Sequence, residues 1–461
     1  MCRTRALTLL FVAWICCFVN VSGAQVPAPP PVVVEAALPF AALPAFPTTQ
    51  RYWGVHEAAG YRVEVPANWN GSLVMYAHGY RGEGPQLTVS SPAIRSYLLA
   101  NGFAWAASSY YRNSYDARAG VISTNALARQ FDVITGLTPK RYFIHGHSMG
   151  GHVTVAAIEQ FPNRTCPKGK IGHFCREVVA FLGELSGGIK YSGAVPMCGV
   201  NADTRLFEYF NDFNLVAAKL ANVTVPRPAP DFSTAYLPGI IGSLFVTYPS
   251  INTPLGDKLK AATIELTGGP RPIVGQSYAG FMNLLFGFGG GNGSVAVTNG
   301  LPVVSNIGRI YQLDHDPKLS MEEILFNQEI LRVRADPNAN PPKFIDLEVI
   351  PKTTGNLHVP TVSMHTLGDL FVPFSMQQIY VQRTKLWGQD DKLVVRAIRG
   401  AQHCEFSVPE QEQAFGDMLL WVDQGVKPKG DNVLSRKTVQ SDSFGCAFTT
   451  PLRAYDNASA C

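Results

Sequence analysis

The sequence predicts an α/β protein whose sheet is mostly parallel and covered by helices on both faces. Three observations lead there. Apolar runs of strand length alternate with segments of helical spacing through the first 200 residues and again after residue 350. Hydrophobic residues make up 46% of the 461 and charged ones 16%, so there is apolar side chain for a large buried core. One strand-like run, "RYFIHGHS" at 141–148, ends in a serine fenced by glycines and opens directly into a helical segment.

The ends of the chain read differently from its body. Arg3 and Arg5 precede an apolar run from Ala6 to Val19, and Ser22, Gly23 and Ala24 follow it. That is the layout of a secretory signal peptide over 1–24. The run falls short of the roughly 20 apolar residues of a membrane span. No later stretch reads as a span, so a secreted or periplasmic protein without stable membrane insertion is expected. Residues 25–49 are proline-rich and nearly uncharged, the composition of an extended arm or linker. A formal net charge of +4 without a Lys/Arg cluster gives nucleic acid no footprint.

The elements follow in order. "YRVEVPANW" (61–69), "GSLVMYAHG" (71–79) and "FAWAASSYY" (103–111) are strand-like. "ISTNALARQFDVITGL" (122–137) has helical spacing. "RYFIHGHS" is the next strand, "MGGHVTVAAIEQF" (149–161) the helix after it, and "YSGAVPMCG" (191–199) a further strand. From about Val200 to Ile350 the rhythm breaks into a stretch rich in Pro, Gly, Phe and Asn. Its clearest helix is "SMEEILFNQEILRVRA" (320–335), opened by the capping box Ser320–Glu323. The glycine run "FGFGGGNGS" carries Asn292 where a dinucleotide fingerprint needs glycine. The rhythm returns with "VPTVSMHTLGD" (359–369), "SMQQIYVQRTKLW" (375–387), "KLVVRAIRG" (392–400) and "QEQAFGDMLLWV" (411–422).

The glycine-fenced serine is the candidate nucleophile. Gly146-His147-Ser148-Met149-Gly150 is G-x-S-x-G between a strand and a helix, the context in which that motif carries chemistry. The tight turn leaves no room for side chains two before and two after the serine. Ser277 in "IVGQSYAG" is a rival, but it lies in the irregular stretch. Upstream, "VMYAHGY" ends in His78-Gly79, a corner that turns the backbone N–H of Tyr80 toward an oxyanion site beside that of Met149. Downstream, Asp369 stands just past a strand and His403 on the loop after the last strand. The intervening residues leave room for one helix and one strand.

These residues resemble the α/β-hydrolase superfamily, over about 52–199 and 359–425. The resemblance implies an eight-stranded sheet, a core of 50–199 with 351–461, and a mainly helical cap inserted over 200–350. It implies Ser148 as nucleophile, His403 as general base and acid, Asp369 as the residue orienting His403, and Tyr80 and Met149 as backbone oxyanion donors. A serine hydroxyl needs such an imidazole to take its proton, and the imidazole needs a carboxylate to fix its tautomer. No cofactor and no metal are expected.

The expected function is hydrolysis of carboxylic esters, small or polymeric, through an acyl-enzyme. The aromatic cap segments "LFEYFNDF", "SLFVTY" and "FMNLLFGF" suggest an apolar or aromatic acyl group, or else merely pack the cap. A resemblance to exported amidases of the phthalyl-amidase type makes amide hydrolysis the alternative. A non-catalytic binding protein of the same fold is the alternative of another class. Some secreted feruloyl esterases and tannases also place a cysteine after the histidine, as Cys404 follows His403. This chain departs from them with His147 before the nucleophile.

Six cysteines remain once the signal peptide leaves: Cys166, Cys175, Cys198, Cys404, Cys446 and Cys461. In an exported chain an even count suggests disulfides. Cys166 and Cys175 bracket a short loop, and Cys446 and Cys461 can close the tail. Cys198 and Cys404 are left to tie the histidine loop to the sheet.

Overall fold

In the computed structural model of the chain, eight strands share one sheet. They are β1 (Gln50–His56), β2 (Ala59–Val65), β3 (Ser72–Ala77), β4 (Ala104–Ser108), β5 (Arg141–His147), β6 (Gly193–Met197), β7 (Thr361–Thr366) and β8 (Leu393–Ile398). Their spatial order is β1-β2-β4-β3-β5-β6-β7-β8. The two contacts made by β2 are antiparallel and the rest are parallel. The structure describes residues 29–159, 188–291, 300–342, 347–456 and 458–461, and those from Pro31 onward form one unit. The signal peptide and the pair Cys166–Cys175 expected from the sequence lie outside the described residues.

Strand β1 is absent from the sequence reading. It reaches β2 through Glu57 and Ala58, both at positive φ (47° and 60°), a two-residue hairpin of the primed type made without glycine or asparagine. The central strands are buried on both faces. Leu73 and Met75 of β3 face one core, with Ile144 and Ala194; Val74 faces the other, with Phe143 and Val195. Helices α2 (Ala117–Thr135) and α3 (Met149–Glu159) cover the first face. Helix α1 (Arg95–Ala100) and a late helix, Val408–Gln424, cover the second. The helix ends carry their own signals. The Asp116 carboxylate accepts the Ala119 N–H at 2.8 Å, and α2 stops at Gly136 in the left-handed region.

Between β6 and β7 the chain leaves the sheet. It forms α4 (Arg205–Leu220), α5 (Leu237–Leu244), α6 (Pro254–Leu266), α7 (Val274–Gly287) and α8 (Met321–Glu329). Buried Phe207, Phe210, Phe213 and Phe286 of this insertion belong to the same apolar cluster as the α2–α3 face of the sheet. The Ser320–Glu323 capping box forms, but α8 stops six residues before the expected end. Buried Ile330 is extended, and beyond it the Asn306 side chain accepts the Val333 N–H at 2.7 Å while Arg332 donates to the Asn306, Arg309 and Asn327 carbonyls. Those tertiary bonds outweigh the helical spacing.

The stretch expected as an arm or linker is, from Val32 on, laid against the sheet. Val32–Val33 pairs in parallel with Gln86–Leu87. Phe40 lies under the guanidinium groups of Arg62 and Arg95, at 5.2 and 5.0 Å, and those arginines donate to the carbonyls of Ala37, Leu38 and Ala41.

Helices α9 (Ser375–Trp387) and α10 (Val408–Gln424) complete the covering. The chain's return from the insertion is held by Glu159 at the end of α3. Its buried carboxylate accepts from Thr354 N (2.6 Å), Thr354 Oγ1 (2.8 Å), Gly355 N (2.9 Å) and Tyr380 Oη (2.6 Å). Glu159→Ala leaves these donors buried without an acceptor, and a loss of about 3 kcal/mol is expected. Chemical denaturation measures it; a loss under about 1 kcal/mol would mean that water takes the carboxylate's place.

Candidate active site

Strand β5 ends at His147 and helix α3 begins at Met149, so Ser148 alone makes the turn, at φ 59°. A residue other than glycine rarely adopts that conformation, and here close packing of backbones enforces it. A Cβ on Gly150 would run into the Ala77 carbonyl and come within 2.7 Å of the His78 carbonyl oxygen. One on Gly146 would meet the Gly150 carbonyl. The Ser148 N–H donates to the Met197 carbonyl of β6 at 3.0 Å.

The serine hydroxyl stands 2.9 Å from His403 Nε2, and His403 Nδ1 stands 2.6 Å from Asp369 Oδ2. A carboxylate only accepts, so Nδ1 carries the proton and Nε2 is free to take one from Oγ. Asp369 is fully buried, and its other oxygen accepts the N–H groups of Phe371 and Val372, both at 2.9 Å. His147 and His365, which interact electrostatically with His403, and His145 beside His147 are neutral imidazoles: burial pushes them down to about 4, about 4 and about 3.

Beside the serine runs the His78-Gly79 corner. A Cβ on Gly79 would lie 3.1 Å from that of Ser148. Tyr80 is the next residue, and Met149 sits in the first turn of α3, where N–H groups have no partner within the helix. The Gly79 carbonyl lies 2.6 Å from His78 Nδ1. That oxygen only accepts, so Nδ1 bears the proton, and Arg81 Nε, 3.1 Å from the same nitrogen, makes an electrostatic contact and not a hydrogen bond. His78 stacks on Tyr110 at 3.9 Å, and Tyr110 Oη donates to the His78 carbonyl. Arg81 closes the following loop by bonding to Thr88 and Ser90.

A mostly parallel sheet in this order, with a strained serine between its fifth strand and the helix that follows, settles the architecture. The chain has the α/β-hydrolase fold. No family model matches it. It is similar to an o-phthalyl amidase of Xanthobacter agilis, 21% identical over 421 residues that span 82% of this chain and 88% of that protein. Among solved structures it is similar to feruloyl esterase B from Aspergillus oryzae, with a TM-score of 0.37, 12% identity and 86% of each chain covered. It is also similar to the apo form of Thermogutta terrifontis esterase 2, with a TM-score of 0.37, 12% identity, and 84% of this chain and 98% of that one covered.

Other residues singled out in the sequence stand apart from the hydroxyl. Ser277 is buried near the start of α7, where its Oγ donates to the Ile273 carbonyl. Buried His145 packs against Tyr76 and Phe415. His147 Nε2 meets Gln411 Oε1 at 3.1 Å.

The sequence reading missed the supports of the two loops. Tyr209 Oη donates to the Leu370 carbonyl at 3.0 Å. The Phe371 ring lies 5.1 Å from that of His403 and stacks on Phe210, which stacks on Phe288. On the histidine side, Tyr455 Oη accepts the Ala401 N–H and donates to Glu405, and Arg453 donates to the Glu405 carbonyl, all at 2.8 Å. Arg399 pairs with buried Asp456 at 2.7 Å. These partners come from distant parts of the chain, and no spacing marks them.

Disulfides join Cys198 to Cys404 and Cys446 to Cys461. The first ties the residue after His403 to the end of β6, and its Cys404 sulfur lies 3.3 Å from His403 Nε2. Cys198, His403 and Cys404 cluster within 4.8 Å, but sulfurs bonded to each other offer no thiolate to a metal. Reduction of Cys198–Cys404 is expected to lower kcat by roughly tenfold or more, since about 1 Å of drift in a reacting group can cost that much. Turnover and circular dichroism followed together in reductant test it. Unchanged turnover after both thiols are trapped would leave the placement of His403 to packing alone.

Proposed function

We propose that the chain is an exported serine hydrolase that cleaves carboxylic esters through an acyl-enzyme. The observation that carries this reading is the pair of hydrogen bonds, 2.9 and 2.6 Å, linking Ser148 to His403 and His403 to Asp369, with the serine held at positive φ. Ser148 Oγ attacks the ester carbonyl as His403 Nε2 takes its proton. Asp369 keeps the proton on Nδ1 and stabilises the imidazolium. The backbone N–H groups of Tyr80 and Met149 receive the developing oxyanion. His403 then protonates the departing alcohol, and water repeats the sequence to free the acid and restore Ser148.

An apolar or aromatic acyl group suits the surroundings. Phe371 is partly exposed beside His403 and backed by Phe210 and Phe288. Amide hydrolysis by the same residues is the second reading, favoured by the similarity to an o-phthalyl amidase. Export fits the basic, apolar and small-residue order of 1–24 and the disulfides. No helix among the described residues is long and apolar enough to cross a membrane.

A panel of aryl and alkyl p-nitrophenyl esters beside matched anilides separates the two reactions. Ser148→Ala is expected to lower kcat by about 10⁶, the scale of such losses where serine and histidine act as a unit. Ser277→Ala should leave turnover essentially unchanged. An active Ser148→Ala protein would refute the assignment, and a folded wild type without turnover on any panel member would favour a binding protein.

The pH dependence gives a separate check. His403 accepts a proton only as neutral imidazole, so kcat/KM should fall as pH drops and the ring charges. A profile flat between about pH 5 and 9 would exclude His403 as the base.

A further inference from the structure

The segment 367–371, which carries Asp369, is held almost residue by residue by the insertion. Arg271 Nε donates to the Leu367 carbonyl at 2.7 Å. A Cβ on Gly368 would collide with Ser277 Oγ of α7. Tyr209 of α4 donates to the Leu370 carbonyl, and Phe210 stacks on Phe371. Asp369, between them, turns the other way to His403.

Arg271 brings charge as well as grip. It is 7% exposed, and its other hydrogen bonds go to neutral oxygens, the Gly269 carbonyl at 2.9 Å and Thr267 Oγ1 at 3.4 Å. Its guanidinium lies over the Phe374 ring at 5.6 Å. Among the described residues it makes no ion pair within 4 Å, yet its charge and that of Asp369 act on each other. A buried cation without a bonded carboxylate is costly unless the surroundings use its charge.

We infer that Arg271 is a positioning residue for the Asp369–His403 pair, holding the acid's loop from the insertion while its positive charge opposes a second positive charge on His403. The inference rests on the reading of Ser148, His403 and Asp369 given above.

The other titratable groups around the pair are His365 of β7, His147 of β5, Tyr209 of α4 and Glu265 of α6. Burial keeps both histidines neutral, at about 4, and pushes the Tyr209 phenol well up. Glu265 is held by both guanidinium nitrogens of Arg436 at 3.0 Å and by His315. Burial lowers Arg271 to about 9, so it stays charged at neutral pH. Its loss makes imidazolium easier to form, so the midpoint of the acid limb of kcat/KM must rise.

The test compares kcat/KM against pH for the full chain and for Arg271→Gln, Arg271→Met, Arg271→Lys and Tyr209→Phe, each checked for folding by circular dichroism. For the neutral variants kcat should fall about tenfold, and the acid-limb midpoint should rise by roughly half to one pH unit. Arg271→Lys should keep the midpoint within roughly 0.2 pH unit of wild type at a reduced kcat. Tyr209→Phe weakens the grip without changing charge, so it should lower kcat and leave the midpoint in place. An unmoved midpoint in a folded neutral variant would reduce Arg271 to a structural contact and overturn the inference. So would failure of both neutral variants to fold. If Ser148→Ala is inactive while the Arg271 midpoint stays put, this inference alone falls; if Ser148→Ala is active, the underlying reading falls.

Discussion

The contact of the Gly150 backbone with the Ala77 carbonyl is the constraint on which the rest depends. It brings the ends of β3 and β5 and the start of α3 so close that no side chain fits between them. Ser148 has nowhere to go but the left-handed region, and its hydroxyl leaves the sheet at a fixed point. The Ser148 N–H bond to Met197 and the approach of Gly79 on the other side complete that fixation. Ser148 therefore shares the rigidity of the most buried part of the sheet, and the residues it bonds to must be brought to it.

Those partners lie on loops and are held largely from outside the sheet. The loop of Asp369 is held by α4, α7 and Arg271, all from the insertion. The loop of His403 is held by a disulfide to β6 on one side and by Tyr455, Arg453 and Asp456 on the other. A covering segment and a tail that look peripheral in sequence thus act on the two hydrogen bonds that matter most. Since loops are the softer parts of a fold, such external bracing is what keeps a 2.6 Å and a 2.9 Å contact in register.

Much of this was legible in the sequence, for physical reasons. Steric demand at the elbow leaves a local mark, so G-x-S-x-G after an apolar run located Ser148. Strands buried on both faces are written as continuous apolar runs, so β3 to β8 were readable. What failed to show was whatever depends on distant partners. Strand β1 carries Gly54 and turns through Glu57 and Ala58, against local preference. Phe40 docks because Arg62 and Arg95 come to meet it, which its proline-rich surroundings do not reveal. The end of α8 is set by Asn306 and Arg332, not by helical spacing. Arg271, Tyr209 and Tyr455 act through single bonds to other loops, and single bonds have no period.

The tail has a consequence for the order of events in the life of the chain. Ser148 and its elbow can form early in synthesis, from neighbouring strands and a short helix. His403 lies 255 residues later, and the groups that brace its loop come later still, at Arg453, Tyr455 and Asp456. Until those later residues have folded onto the loop, Ser148 is in place while His403 lacks its braces. The 2.9 Å contact between them is thus completed by the last-made parts of the described chain and not by the elbow.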